Sequence, residues 1–289
     1  MTSREEWLAG ARPKTLAAGI APVIVGTAFA GYNANAFNFF LALVVGVGLQ
    51  VGVNYANDYS DGIKGSDSDR VGPVRLVGSG AATPEAVKRA ALIAISIAAL
   101  AGLLLSARSS WILLALGALS IIAAWTYTGG PKPYGYFALG EVSVFLFFGL
   151  IATLGTYFAH VGSLSFDVAL ASCAMGSLAC AILVLNNLRD LVSDKAVGKN
   201  TLAVKIGDAR TRQFFQGLIF APFLITLALL PTSFYFLLAF LALPQSLKVA
   251  SAIRSGVGGS GLIELLERTG KIQIIYALAI SLATLLYAR

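Results

Sequence analysis

The stretch FNFFLALVVGVGLQVGVNYANDYSD, residues 37–61, holds the two features that decide the fold. Residues 37–55 carry no charged side chain, and then Asn57, Asp58 and Asp61 follow within six positions. An uncharged apolar run of about twenty residues has the length of a membrane-spanning helix. It shows no alternating period of the kind a barrel strand needs, and a spanning segment in lipid must satisfy its own backbone, so it reads as a helix. A membrane helix therefore ends in a cluster of carboxylates. Gly48 and Gly52, four apart inside it, suit close contact with a neighbouring helix.

Working outward, the same criterion marks nine runs: 15–31, 37–55, 86–105, 111–128, 138–160, 166–185, 214–230, 233–250 and 272–287. Composition agrees, with 57% hydrophobic and 12% charged residues over 289 positions and a mean hydropathy of +0.79. A soluble chain is nearer a quarter charged, so a water-solvated surface is excluded, together with disorder, a disulfide scaffold and a collagen-like repeat. The expected fold class is all-α, a polytopic membrane bundle of nine transmembrane helices. It forms one domain over residues 1–289, with two pseudo-repeated four-helix halves (spans one to four and five to eight) plus span nine. A cleaved signal peptide is the rival for the first run, because Ala28-Phe-Ala30 imitates a cleavage site; an uncleaved helix keeps the parity of the remaining spans. Cys173 and Cys180 lie seven apart in one run, too far along a helix to bridge, and form no redox or zinc motif.

Charge sets the sidedness. Of 21 Lys and Arg, nineteen fall before span one or in the 2–3, 4–5, 6–7 and 8–9 loops, leaving Arg108 and Arg289 on the other side. The positive-inside rule makes the N-terminus and those loops cytoplasmic and the C-terminus external. The net charge of +7 is then topology and attraction to anionic lipid, and nucleic acid is not an expected partner.

Two loops concentrate the polar chemistry. Asn57 with Asp61, and Asn186 with Asp190, share the spacing Asn-x-x-x-Asp, and the second extends four further to Asp194. Continued helix would place these oxygens on one face a turn apart. Four spans separate the motifs, so both open on the same side. Carboxylate and amide oxygens are hard ligands suited to Mg²⁺ with substrate phosphate. Lys64, Arg70, Arg75, Arg189, Lys195 and Lys199 interleave with them. A metal-bridged diphosphate held between two acidic clusters accounts for both signs of charge. Asp69, Lys88, Arg89, Asp208, Arg210 and Arg212 read as solvated loop charges. A cation transporter is the rival from another class, but would place its acids near the bilayer midplane. A structural membrane subunit would not need the repeated acidic register.

These motifs resemble those of the UbiA superfamily of intramembrane aromatic prenyltransferases, and most closely its 1,4-dihydroxy-2-naphthoate polyprenyltransferase branch. The resemblance rests on Ala11-Arg-Pro-Lys-Thr-Leu16, on Asn57-Asp-Tyr-Ser-Asp61 with Lys64-Gly-Ser-Asp67, and on Arg70-Val-Gly-Pro-Val-Arg75. It continues through Tyr127-Thr-Gly-Gly-Pro-Lys-Pro-Tyr-Gly-Tyr136 to Glu141, and from Asn187-Leu-Arg-Asp190 to Leu202. One departure is Asn200, where Arg is expected. The last spans are similar only in character.

The resemblance implies transfer of a polyprenyl group from polyprenyl diphosphate to 1,4-dihydroxy-2-naphthoate. Attack at the carboxyl-bearing carbon, loss of CO₂ and diphosphate, and oxidation then give demethylmenaquinone. Another aromatic acceptor, of the 4-hydroxybenzoate or homogentisate type, is the variant reading. It also implies two Mg²⁺ ions, replaceable by Mn²⁺, held by Asn57, Asp58, Asp61, Asn186, Asp190 and Asp194. Lys64, Arg70, Lys132, Arg189 and Lys199 become contacts for the diphosphate. Asp67, Arg75 and Tyr127 join the acids as residues carrying the chemistry, with Tyr127, Tyr134 and Tyr136 facing the ring or the cation. Glu141 is a candidate contact to the acceptor; His160, near the outer face, is not catalytic. Gly256–Gly261 and the segment after it read as a hinge and a short amphipathic helix on the membrane, either a lid or a connector.

Overall fold

A computed structural model describes residues 2–65 and 75–288. Asp67 and Arg70 lie outside the described residues. The described chain is helical throughout its spans. A short N-terminal helix, α1 (Arg4–Ala11), is opened by a reciprocal Ser3–Glu6 capping box. The bundle follows as α2 (Ala17–Phe29), α3 (Ala36–Ile63), α4 (Pro84–Arg108), α5 (Ile112–Thr126), α6 (Gly140–Val161) and α7 (Phe166–Arg189). After the short α8 (Leu191–Ala196) come α9 (Leu202–Leu229), α10 (Phe234–Arg254) and α11 (Gly261–Tyr287). Side-chain oxygens of Asn35, Thr83, Ser165 and Thr201 cap α3, α4, α7 and α9, so each of these four helices starts where its first amides find a partner.

Among the described residues seven helices are long and apolar enough to cross a membrane, against the nine expected. The other two, α2 and α5, are apolar but have 13 and 15 residues. At 1.5 Å per residue they extend about 20 and 22 Å, short of a 30 Å hydrocarbon layer. Single 3₁₀ turns at Pro13–Thr15 and Gly31–Asn33 bound α2, and the Gly129-Gly130-Pro131 turn follows α5. A second correction concerns span nine. Leu262, Leu265 and Leu266 are buried in the core, so the segment expected to lie on the membrane is the first part of α11.

Small residues set the packing. Helix α7 is the most buried span, and its Gly176 meets Gly149 of α6 so closely that a Cβ on Gly149 would stand 2.4 Å from the Gly176 Cα. Gly48 and Gly52 of α3 lie against Ala98 and Ile95 of α4, as their spacing predicts. Outward-facing Ile93, Ile97, Leu100 and Leu104 on α4 present an apolar belt to lipid. The lipid tails are as apolar as these side chains, so close backbone approach rather than water exclusion holds the helices together. Cys173 and Cys180 are free thiols, and Cys180 donates to the Glu141 carbonyl.

Candidate active site

One cavity of about 660 Å³ runs through the bundle. Ala42 and Asp61 both line it, nineteen residues apart on α3, which corresponds to about 28 Å of helix. Its polar end gathers Asn57, Asp61, Asn186, Asp190, Asp194 and Lys199. The remainder is apolar, walled by Val23, Val45, Leu105, Leu113, Leu116 and Ile151. A charged head and a long greasy body in one chamber suit an amphiphile with an anionic head.

The helix α3 continues through Ile63, so Asn57 and Asp61 do share one face. The second motif is less regular. Helix α7 stops at Arg189, and Asp190 sits at the junction with α8. The amide of Asp190 still donates to Asn186 O at 3.1 Å and that of Asp194 to Asp190 O at 2.8 Å, so the helical register crosses the break. Gly198, at φ +73°, then turns the chain, and Lys199 N donates to Asp194 O.

That turn brings the Lys199 ammonium between the two acidic motifs, 3.3 Å from Asp61 Oδ2 and 3.7 Å from Asp194 Oδ1. Asp61 is 2% exposed and also accepts from the Tyr136 hydroxyl at 2.9 Å. Arg189 donates from Nε and Nη2 to the two oxygens of Asp190, and from Nη2 to Asn186 Oδ1. Asn57 Oδ1 accepts from the Thr128 hydroxyl at 2.7 Å, and Arg75 is a buried member of the cavity wall. Low exposure keeps these charges poorly screened, which strengthens each pairing relative to a surface one.

The loop between α5 and α6 folds over the end of α3. Lys64 donates to Thr128 O at 2.7 Å and lies 5.0 Å from the centroid of the Tyr136 ring, with Lys199 at 5.3 Å. Burial pushes the Lys64 ammonium below its ordinary pKa, with Asp61 acting in the opposite direction. Gly135 has to be glycine, since a Cβ there would meet Tyr127 O at 2.7 Å. Tyr127 and Tyr134 line the cavity edge to face, with ring centroids 5.5 Å apart. Burial raises the Tyr134 phenol, whose hydroxyl is held by Ala123 O and Ser143.

Several expected residues are placed elsewhere. Asp58, expected as a metal ligand, is fully buried away from the cavity and spends both oxygens on the amides of Leu76 and Val77. It follows Asn57 by one residue, about 100° around the helix, and so faces the returning loop. Lys132 is exposed and outside the cavity lining, and Lys64 is committed to the same loop's carbonyls. Lys195 and Asn200 are also exposed. The sequence reading missed Thr128 and Asn187, both of which line the cavity. Their signal was membership of the motifs that run from Tyr127 to Tyr136 and from Asn187 to Leu202, which by themselves assigned neither residue a role.

The donor set fits Mg²⁺ in kind, being carboxylate and amide oxygen. Among the described residues no three His, Cys, Asp or Glu side chains stand together as a metal-holding group, since Lys199 and Arg189 meet the acids instead. A divalent ion would take oxygens from these two cations, which would be released toward an anionic ligand.

The profile of the UbiA prenyltransferase family matches residues 19–255. The chain is 47% identical over 283 residues to the 1,4-dihydroxy-2-naphthoate octaprenyltransferase of Mycobacterium tuberculosis, covering 97% of each protein. To the Escherichia coli protein of that name it is 40% identical, covering 92% of this chain and 91% of the relative. Among solved structures, a UbiA homolog from Aeropyrum pernix K1 superposes with a TM-score of 0.74 at 17% identity, covering 93% and 98% of the two chains. A UbiA homolog from Archaeoglobus fulgidus bound to DMAPP and Mg²⁺ gives 0.70 at 14%, covering 97% and 99%. By this extent of match, the chain is a multi-pass membrane protein that belongs to the UbiA prenyltransferase family.

Proposed function

We propose that this protein transfers the polyprenyl group of polyprenyl diphosphate to 1,4-dihydroxy-2-naphthoate. The observation that carries the reading is 40–47% identity, over more than nine-tenths of the chain, to relatives named for that reaction, in a chain with a cavity that joins an acid-and-base head to an apolar body. The new bond joins the allylic carbon to the ring carbon bearing the carboxylate, while the carbon–oxygen bond to diphosphate breaks. Loss of CO₂ returns its electron pair to the ring, so the exchange balances without a proton acceptor. The product of the transfer is the quinol, and demethylmenaquinone forms from it in a separate two-electron oxidation by an external oxidant such as molecular oxygen.

Asn57, Asp61, Asn186, Asp190 and Asp194 would hold Mg²⁺, two ions in this reading, with Mn²⁺ an acceptable replacement. When bound, Mg²⁺ supplies positive charge that stabilises diphosphate as it leaves. Arg75, Arg189 and Lys199 add fixed positive charge at the same end, worth most where water is excluded. The apolar wall holds the prenyl tail, at about 0.8 kcal/mol per buried CH₂. Tyr127 and Tyr134 offer ring faces to a developing allylic cation.

The asymmetry of Lys and Arg supports a cytoplasmic N-terminus and polar cavity end with the C-terminus outside, and a naphthoate acceptor goes with a cell-membrane location. Two four-helix halves, each contributing one acidic motif, account for the repeated register. Acceptor labelled with ¹³C at its carboxyl tests the reaction directly. Labelled CO₂ released in step with prenylated product supports it. Prenylated product that keeps the label, or product only with 4-hydroxybenzoate, overturns the acceptor assignment.

A further inference from the structure

Glu141 stands in the first turn of α6 and is 6% exposed. Its Oε1 accepts from Asn187 Nδ2 at 3.0 Å, and its Oε2 is buried without a hydrogen-bond partner. A buried carboxylate with an unsatisfied oxygen is costly to keep. Glu141 does not itself line the cavity, whereas Asn187 does.

The pair fixes one orientation. Asn187 presents its NH₂ to Glu141 Oε1, an oxygen that accepts. Its carbonyl oxygen, Oδ1, is the atom that remains for the cavity. Asn187 is about 100° around α7 from Asn186 and shares a face with Leu183. That face looks toward the start of α6. There a Cβ on Gly140 would stand 3.0 Å from the Tyr127 hydroxyl and 3.4 Å from Leu183. With the Tyr127–Tyr134 pair, this wall offers flat apolar surface and one fixed acceptor atom. An acceptor atom repels diphosphate and suits a hydroxylated aromatic ring.

We propose that Glu141 is a positioning residue, holding Asn187 so that Oδ1 accepts a hydrogen bond from a ring hydroxyl of the aromatic acceptor. The assignment rests on the prenyl-transfer reading given above. Glu141 moves no proton in it, because replacement of carboxylate by prenyl requires no base.

The test measures KM for 1,4-dihydroxy-2-naphthoate and for the prenyl diphosphate separately in the full-length protein and in E141Q, E141L, N187A and E141L/N187A. Loss of one hydrogen bond is expected to raise the acceptor KM about tenfold in E141L and in N187A. The donor KM stays within about twofold, and the double variant is no worse than either single one. E141Q stays near wild type, since the glutamine carbonyl accepts from Asn187 in the same place. E141Q as impaired as E141L, or donor and acceptor KM rising together in N187A, overturns the proposal. If E141L does not fold, E141Q and N187A decide alone. Wild-type protein without turnover removes the acceptor reading and this assignment with it, whereas wild-type turnover with an unchanged acceptor KM in N187A removes the assignment alone.

Discussion

Lys199 Nζ lies 3.3 Å from Asp61 Oδ2, an ion pair between residues 138 positions apart that ties the end of one acidic motif to the turn after the other. Asp194 stands 3.7 Å away on its other side. The ammonium thus occupies the place between the motifs that the proposed chemistry gives to a divalent ion. Lys199→Met keeps the length of the side chain and removes the charge. The bared acids should bind Mg²⁺ more tightly, while the KM for prenyl diphosphate rises by about tenfold or more through loss of a charged contact. Titration of turnover with Mg²⁺ at fixed donor separates the two effects. An unchanged Mg²⁺ midpoint would show that the ammonium and the metal do not compete.

Asp61→Asn and Asp194→Asn preserve shape and remove charge. Each is expected to lower turnover by about a hundredfold or more, the scale on which a single electrostatic contact to a transition state is felt. Both variants should still insert and elute as folded protein in detergent. Normal turnover at saturating Mg²⁺ would remove the two-motif site. Arg108→Ala serves as the control: this residue contacts Asn38 and Phe37 at the far end of the bundle, and activity should stay within about twofold.

Asp58 makes the opposite prediction from its neighbour Asp61. Its carboxylate binds two backbone amides of the returning loop, 2.9 Å from Leu76 N and 3.0 Å from Val77 N. Asp58→Ala leaves those donors without their partner and should cost about 2–3 kcal/mol of stability. The signature is a lowered thermal midpoint in detergent with an unaltered Mg²⁺ midpoint of the activity that remains. A shifted Mg²⁺ midpoint with unchanged stability would return Asp58 to the metal site.

Close helix contact makes a prediction remote from the chemistry. A Cβ on Gly26 would stand 2.4 Å from Thr153 O, and backbone cannot yield there as a flexible side chain could. Gly26→Val should separate α2 from α6 and sharply reduce the yield of folded protein. Gly217, with nothing within 4 Å of a built Cβ, should accept alanine with little change. Equal tolerance at both positions, read from monodisperse yield, would contradict the packing described.

What the sequence revealed and concealed has a physical pattern. Long apolar runs announced their helices because lipid allows no other open backbone, and Asn57 with Asp61 fell on one face because α3 continues past the last apolar turn. Span lengths at α2 and α5 were less legible, since 3₁₀ turns and a glycine corner trim an apolar run without altering its hydropathy. The buried start of α11 was missed because its acids, Glu264 and Glu267, pair with Arg268, Lys14 and Lys271 and imitate an interfacial helix. Within the site, residue type located Asp61, Asp190 and Asp194 at the cavity, but could not separate Asp58 from them, because only the path of residues 75–77 decides which carboxylate meets the loop. Thr128 and Asn187 carry no charge, and although both lie inside the family-like motifs, only their place on the cavity wall assigns them to the site.

Under the proposed function, two acidic motifs and one apolar cavity together carry out prenyl transfer to a naphthoate. The most direct test incubates purified protein with a polyprenyl diphosphate and 1,4-dihydroxy-2-naphthoate, with Mg²⁺ or with EDTA, and follows product by mass spectrometry. The account predicts a prenylated naphthoquinone lacking the mass of the carboxyl group, formed with Mg²⁺ and absent with EDTA. Equal product in EDTA, or no prenylated product with any phenolic or naphtholic acid, would contradict it.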